Sequence, residues 1–137
     1  FADMGKGPIL HDYLTMEGWL LISSIDGVPL GKLFAWSKAL FATRDEVYPE
    51  LPDALKLVTP VRKAHQSIMT VRRLAIEDRL GDRATAWRAY LIGLLFTLLR
   101  LMKSKYHPPQ KRFHALVCAA LVAGLLSTSP RRIGLFA

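Results

Sequence analysis

Gly27-Val28-Pro29-Leu30-Gly31-Lys32 is the segment nearest to reactive machinery, because glycine loops ending in lysine cradle phosphates with their backbone N–H groups. It has one residue too few between its glycines and a proline where a donor is needed. Leu33 stands where a hydroxyl should meet magnesium. Nucleotide chemistry is excluded there. The histidines His11, His65, His107 and His114 share no metal-ligand spacing with one another or with Cys118. His107 and His114 flank a turn, where a haem or quinone contact would sit, but a histidine near a helix start ordinarily faces solvent or caps. Asp45, Glu46 and Glu50 are of the type that works in acid–base pairs, yet they lie in a proline-punctuated loop with no pocket signalled. Ser23-Ser24 lacks the glycine elbow that would expose a nucleophile. Cys118 is a lone thiol among Ala, Val and Leu, so no disulfide forms within the chain. These patterns imply a chain that is not an enzyme and carries no cofactor and no metal.

The elements that would position such residues are helical throughout. Ile9–Ile25 reads as a short helix whose apolar character is interrupted by Asp12 and Glu17, and Asp26-Gly27-Val28-Pro29 reads as a turn. A second helix, Leu30–Thr43, gathers Leu30, Leu33, Phe34, Trp36, Ser37, Leu40 and Phe41 on one face between Lys32 and Lys38. That face suits a membrane interface or a neighbouring subunit. The acidic loop 45–53 follows, expected in water or against a basic partner. Thr59-Pro60 predicts an N-cap followed by proline at the first helical position. This basic helix runs to Leu80, with Gly81 as its stop and Asp82 capping the next helix.

The C-terminal third carries two uncharged apolar runs, Ala89–Leu99 and Phe113–Ser129, joined by a basic linker broken at Pro108-Pro109. A spanning helix needs about 20 apolar residues to cross roughly 30 Å of hydrocarbon. The first run reaches that length by extending from Ala84 to Met102 with Arg88 and Arg100 turned outward. Trp87, Tyr90, Tyr106 and Phe113 stand where aromatic belts would be. The expected fold is therefore all-α, with a C-terminal two-helix hairpin preceded by amphipathic and basic helices. The hairpin is read as transmembrane, the alternative being a buried hairpin in a soluble helical protein. Three regions follow from it: a peripheral region over 1–58, a basic helix over 59–82, and the hairpin with its basic tail over 83–137. Small residues recur at helical spacing on both runs, and Gly93, Thr97, Ala120 and Gly124 are the expected helix-packing face. Lys103, Lys105, Lys111 and Arg112 in the linker are the expected contacts for anionic headgroups such as cardiolipin.

A net charge of +8 with 51% apolar residues is an unusual pairing for a water-soluble domain. Much of the charge brackets apolar helices rather than covering one polar face, which argues against nucleic acid. Phe1 in place of methionine is what removal of a targeting peptide would leave. The expectation is a structural accessory subunit of a mitochondrial inner-membrane complex of the respiratory chain or ATP synthase, partnered by other subunits and anionic lipid. The alternatives are an RNA-contacting protein of an organellar ribosome, and a haem- or quinone-site membrane subunit using His107 or His114.

Overall fold

Local rules place most helix ends. The computed structural model describes residues 10–77 and 82–127, and among them every regular element is helical. They are α1 (Leu10–Ile22), α2 (Leu30–Leu40), α3 (Asp53–Lys56), α4 (Thr59–Glu77), α5 (Arg83–Lys103) and α6 (Pro109–Ser127). The α1–α2 turn needs a left-handed residue and has Gly27 there, at φ 80°. Pro29 stands at the N-cap of α2, one place earlier than the first helical position. Val58 O accepts the Arg62 amide at 2.9 Å, so Thr59 lies inside the first turn of α4 and Pro60 one place further in. Asp82 caps α5 as its position predicts, accepting from Ala84 N at 3.4 Å and Thr85 N at 3.3 Å. Those bonds and the Thr85 hydroxyl hold its carboxyl below the usual range. The expected Gly81 stop, the lead before residue 9, Arg79 and the tail arginines lie outside the described residues.

α1 is the central helix, lying against α4, α5 and α6, while α2 packs on α6 and α5 pairs with α6. One hydrophobic core runs through all of them, from Leu14 and Trp36 through Ile68 to Leu94 and Val122. α5 and α6 thus pair directly, but they share their core with the preceding helices and do not stand apart as a separate hairpin. Among the described residues only α5 is long and apolar enough to cross a membrane, and a third of its apolar window is buried inside the bundle. The two-helix transmembrane hairpin is corrected to one candidate span. The reason is length and composition: each helix has a stretch with only two cations, but α6 has 19 residues against 21 and adds Gln110 and His114 to Lys111 and Arg112 at its start. Two expected belt residues are also interior, Trp87 at 4% and Tyr90 at 0% exposure.

α1 and α5 cross where neither has a side chain in the way. A Cβ on Gly18 would lie 2.9 Å from Thr97 Cγ2, and one on Gly93 would lie 2.4 Å from Leu14 Cδ1. Thr97 is held by its hydroxyl, which donates to Gly93 O at 3.0 Å, so it cannot turn aside without losing that bond. Gly124 of α6 faces open space. Gly18→Ala is expected to destabilise by about 1 kcal/mol, the overpacking cost of roughly 1–3 kcal/mol outweighing about 1 kcal/mol of helix propensity. Gly124→Ala should instead stabilise by about 0.5–1 kcal/mol. Urea midpoints of the two variants check the pair, and equal shifts of one sign would refute the close crossing.

Candidate functional site

Glu17 entered the sequence as a flaw in an apolar helix and Arg72 as one cation in a basic one; the fold brings them together. Both side chains are 0% exposed. Arg72 Nε donates to Glu17 Oε1 at 3.0 Å and Nη2 to Oε2 at 2.8 Å, a two-pronged charged pair. The Tyr90 hydroxyl donates to Glu17 Oε1 at 2.7 Å, and Arg72 Nη1 donates to Val47 O at 3.0 Å. The guanidinium lies 5.1 Å from the Trp87 ring and 5.4 Å from the Phe41 ring. Burial and the adjacent carboxylate push the Tyr90 hydroxyl up, so it stays a donor. α1, α4, α5 and the loop after α2 are tied at one point.

That loop is held by its carbonyls. Besides Val47, Arg44 O accepts from Trp87 Nε1 at 2.8 Å and Pro49 O from His65 Nε2 at 2.9 Å. Trp36 Nε1 donates to His65 Nδ1 at 3.1 Å, which leaves His65 neutral with its proton on Nε2. Burial pushes His65 below its usual value, consistent with that tautomer. Asp45, Glu46 and Glu50 remain exposed, so the loop binds the body by backbone and presents its charge outward.

A second polar cluster lies between α2 and α6. His114 is 1% exposed, stacked on Trp36 with centroids 6.4 Å apart and 3.5 Å from Ser37 Oγ. Ser37 Oγ donates to Leu33 O at 2.8 Å and sits 3.4 Å from Cys118 Sγ. Burial pushes His114 down to about 4 and Cys118 up to about 12. A neutral imidazole and a protonated thiol closed off from solvent are packing groups. His114 is therefore neither the solvated nor the capping residue its helix-start position suggests, and it stands at the floor of a groove lined also by Leu30, Phe34, Phe113 and Val117.

Above the ion pair the surface opens into a cleft of about 520 Å³ at the start of α5. Trp87, Leu91 and Leu126 form its apolar wall; Arg44, Arg83 and Arg88 bring cations, and Asp45 and Asp82 carboxylates. Asp82 is engaged in capping α5, and Asp45 lies 3.6 Å from Arg44 Nε. Among the described residues no group of three metal-ligating side chains occurs.

The expected site residues divide. Gly93 and Thr97 are at the α1 crossing, whereas Ala120 and Gly124 are exposed on the outer side of α6, which buries Ala115, Cys118, Ala119 and Val122 instead. Lys111 pairs with Asp26 and so ties the start of α6 to the α1–α2 turn, while Arg112 Nε donates to Met102 O at 3.0 Å and braces the α5–α6 turn. Lys103 and Lys105 are exposed. The basic helix is less free than its sequence suggests: Arg72 is interior, Arg62 donates to Lys56 O, and Arg73 stacks on Tyr48. Sequence reasoning missed the Glu17–Arg72–Tyr90 group, whose one local signal is a carboxylate amid apolar residues. No family model, curated protein or solved structure matches this chain.

Proposed function

We propose that this chain is a non-catalytic helical subunit that docks its outer apolar surface on the membrane-embedded part of a multi-subunit complex. The host proposed is an energy-transducing assembly of the mitochondrial inner membrane, a respiratory complex or ATP synthase. One observation carries the docking reading. Large apolar side chains stay exposed on α6 and on the two helices that pack against it: Phe113 and Leu116 on α6, Leu30 and Phe34 on α2, and Ile92 and Phe96 on α5. Leu30, Phe34, Phe113 and Val117 line a shared groove of about 300 Å³. Exposed apolar side chains that gather in this way mark interaction surfaces. Cations rim them: Lys38 Nζ lies 5.4 Å from the Phe34 ring centroid, and Arg88 and Arg100 stand one turn beyond Ile92 and Phe96. Rims of this kind suit a headgroup layer. The host itself is supported by composition, in particular the high charge combined with high apolar content.

The mechanism is mechanical. The Glu17–Arg72–Tyr90 group holds the bundle as one body, and the outer face of that body seats on its neighbours. The test is native electrophoresis of mildly solubilised mitochondria with mass spectrometry of each slice. The expected result is co-migration with one respiratory complex or with ATP synthase, lost in a Phe96→Ser/Leu116→Ser variant. Co-migration with a ribosomal subunit, or migration alone at low mass, would overturn it.

A further inference from the structure

We propose that the cleft at the start of α5 binds the phosphodiester headgroup of an anionic phospholipid, with Arg83 and Arg88 as its anion contacts. The inference deepens the membrane-docking reading above and rests on it. Three observations carry it. The first is charge. Asp45 sits beside Arg44, and the Asp82 carboxylate is bound to the α5 amides, whereas among the described residues neither Arg83 nor Arg88 has a carboxylate partner. Both are exposed at the rim of the cleft, Arg83 with its guanidinium 5.2 Å from the Tyr48 ring. That contact leaves its N–H groups for phosphate oxygens, which guanidinium groups take two at a time. The amides of the helix start are already capped, so the attraction for an anion must come from the side chains.

The second observation is the wall. Trp87, Leu91 and Leu126 make one side of the cleft apolar, which a free inorganic anion has no use for and a lipid does. The volume of about 520 Å³ is in the range of small-ligand sites. The third is continuity. Arg88, Ile92 and Phe96 are each one helical turn apart, and Ile92 and Phe96 are 40% and 62% exposed. A headgroup held at Arg88 therefore has its acyl chains directed along the outer apolar stripe of α5. This site lies at the end of α5 away from the linker, where Lys111 and Arg112 are engaged within the chain and Lys103 and Lys105 are exposed.

The experiment is flotation of the full chain with phosphatidylcholine vesicles, with and without phosphatidylglycerol, alongside calorimetric titration with inorganic phosphate. The proposal expects preference for phosphatidylglycerol, reduced about thirty-fold in Arg83→Gln/Arg88→Gln, at roughly 1 kcal/mol for each cation near an anionic surface. Lys103→Gln/Lys105→Gln, with circular dichroism confirming that both variants fold, should retain most of the preference. Equal losses in the two variants would mean diffuse charge and overturn the site. Phosphate alone saturating the chain in an Arg83- and Arg88-dependent manner would replace the lipid by a free anion. Equal binding to both vesicle types would overturn the headgroup site and leave the docking surface standing. No binding to either would also overturn the headgroup site, and the co-migration experiment would then decide the docking reading by itself.

Discussion

Arg72→Met is expected to destabilise the fold by about 3–5 kcal/mol, the largest effect of any single substitution considered for this chain. The loss has little to do with the attraction between the charges as such. A buried ion pair is worth little net, because desolvating two charges costs about what their attraction returns. Removing one partner strands the other: Glu17, at 0% exposure, would be an uncompensated carboxylate whose remaining donor is the Tyr90 hydroxyl. Val47 O would also lose its donor, and the Phe41 and Trp87 rings the cation near them. The triple variant Glu17→Leu/Arg72→Met/Tyr90→Phe removes every member together and should recover most of the loss. Chemical denaturation of the single and triple variants checks both statements. A single variant within about 1 kcal/mol of the parent would refute the lock.

Acid should unfold this protein through its histidines. Burial holds His114 down at about 4, against about 6.5 for a histidine in the unfolded chain. The sign follows from which state takes up the proton. Below about pH 6.5 the unfolded chain binds a proton that the folded one declines, so stability present at neutral pH is lost as pH falls toward 4. The His114 contribution amounts to about 2 kcal/mol by pH 5 and about 3 kcal/mol by pH 4. His65, also lowered by burial and already donating to Pro49 O, adds in the same direction. The measurement is the thermal midpoint across that range for the parent and for His114→Leu. The variant, close in volume, should lie within about 1.5 kcal/mol of the parent near neutral pH. It should also show a visibly shallower acid slope. An unchanged slope would mean His114 is solvated after all.

Helices and their ends were legible from the residues alone where a few neighbouring side chains decide them. Gly27 at its turn, Asp82 as the cap of α5 and the proline break before α6 are of this kind. The short helix α3 was missed, because Pro49 and Pro52 mark a loop and conceal a single turn whose buried Leu55 anchors it. The exposed aromatic and cationic positions of α2 and α5 were legible as types, but their partners were not. Trp87 and Tyr90 look like interface aromatics by position, yet each has its polar atom satisfied inside the bundle, by Arg44 O and by Glu17.

Periodicity and capping act within a few residues, so the sequence by itself determined that the described residues are all helical and where most of the helices end. Which polar groups are inside is a different kind of question. Burying Glu17, Arg72, His65 or His114 is tolerable only when each finds a partner, since an unpaired buried charge or imidazole costs several kcal/mol. Those partners lie far along the chain: 55 residues separate Glu17 from Arg72, and 77 separate Ser37 from His114. Only the tertiary structure could decide them. It also decided that Gly93 and Thr97 meet α1, that Lys111 reaches Asp26 while Arg112 braces the α5–α6 turn, and that the exposed cations of the cleft stand at the end of α5 away from that turn.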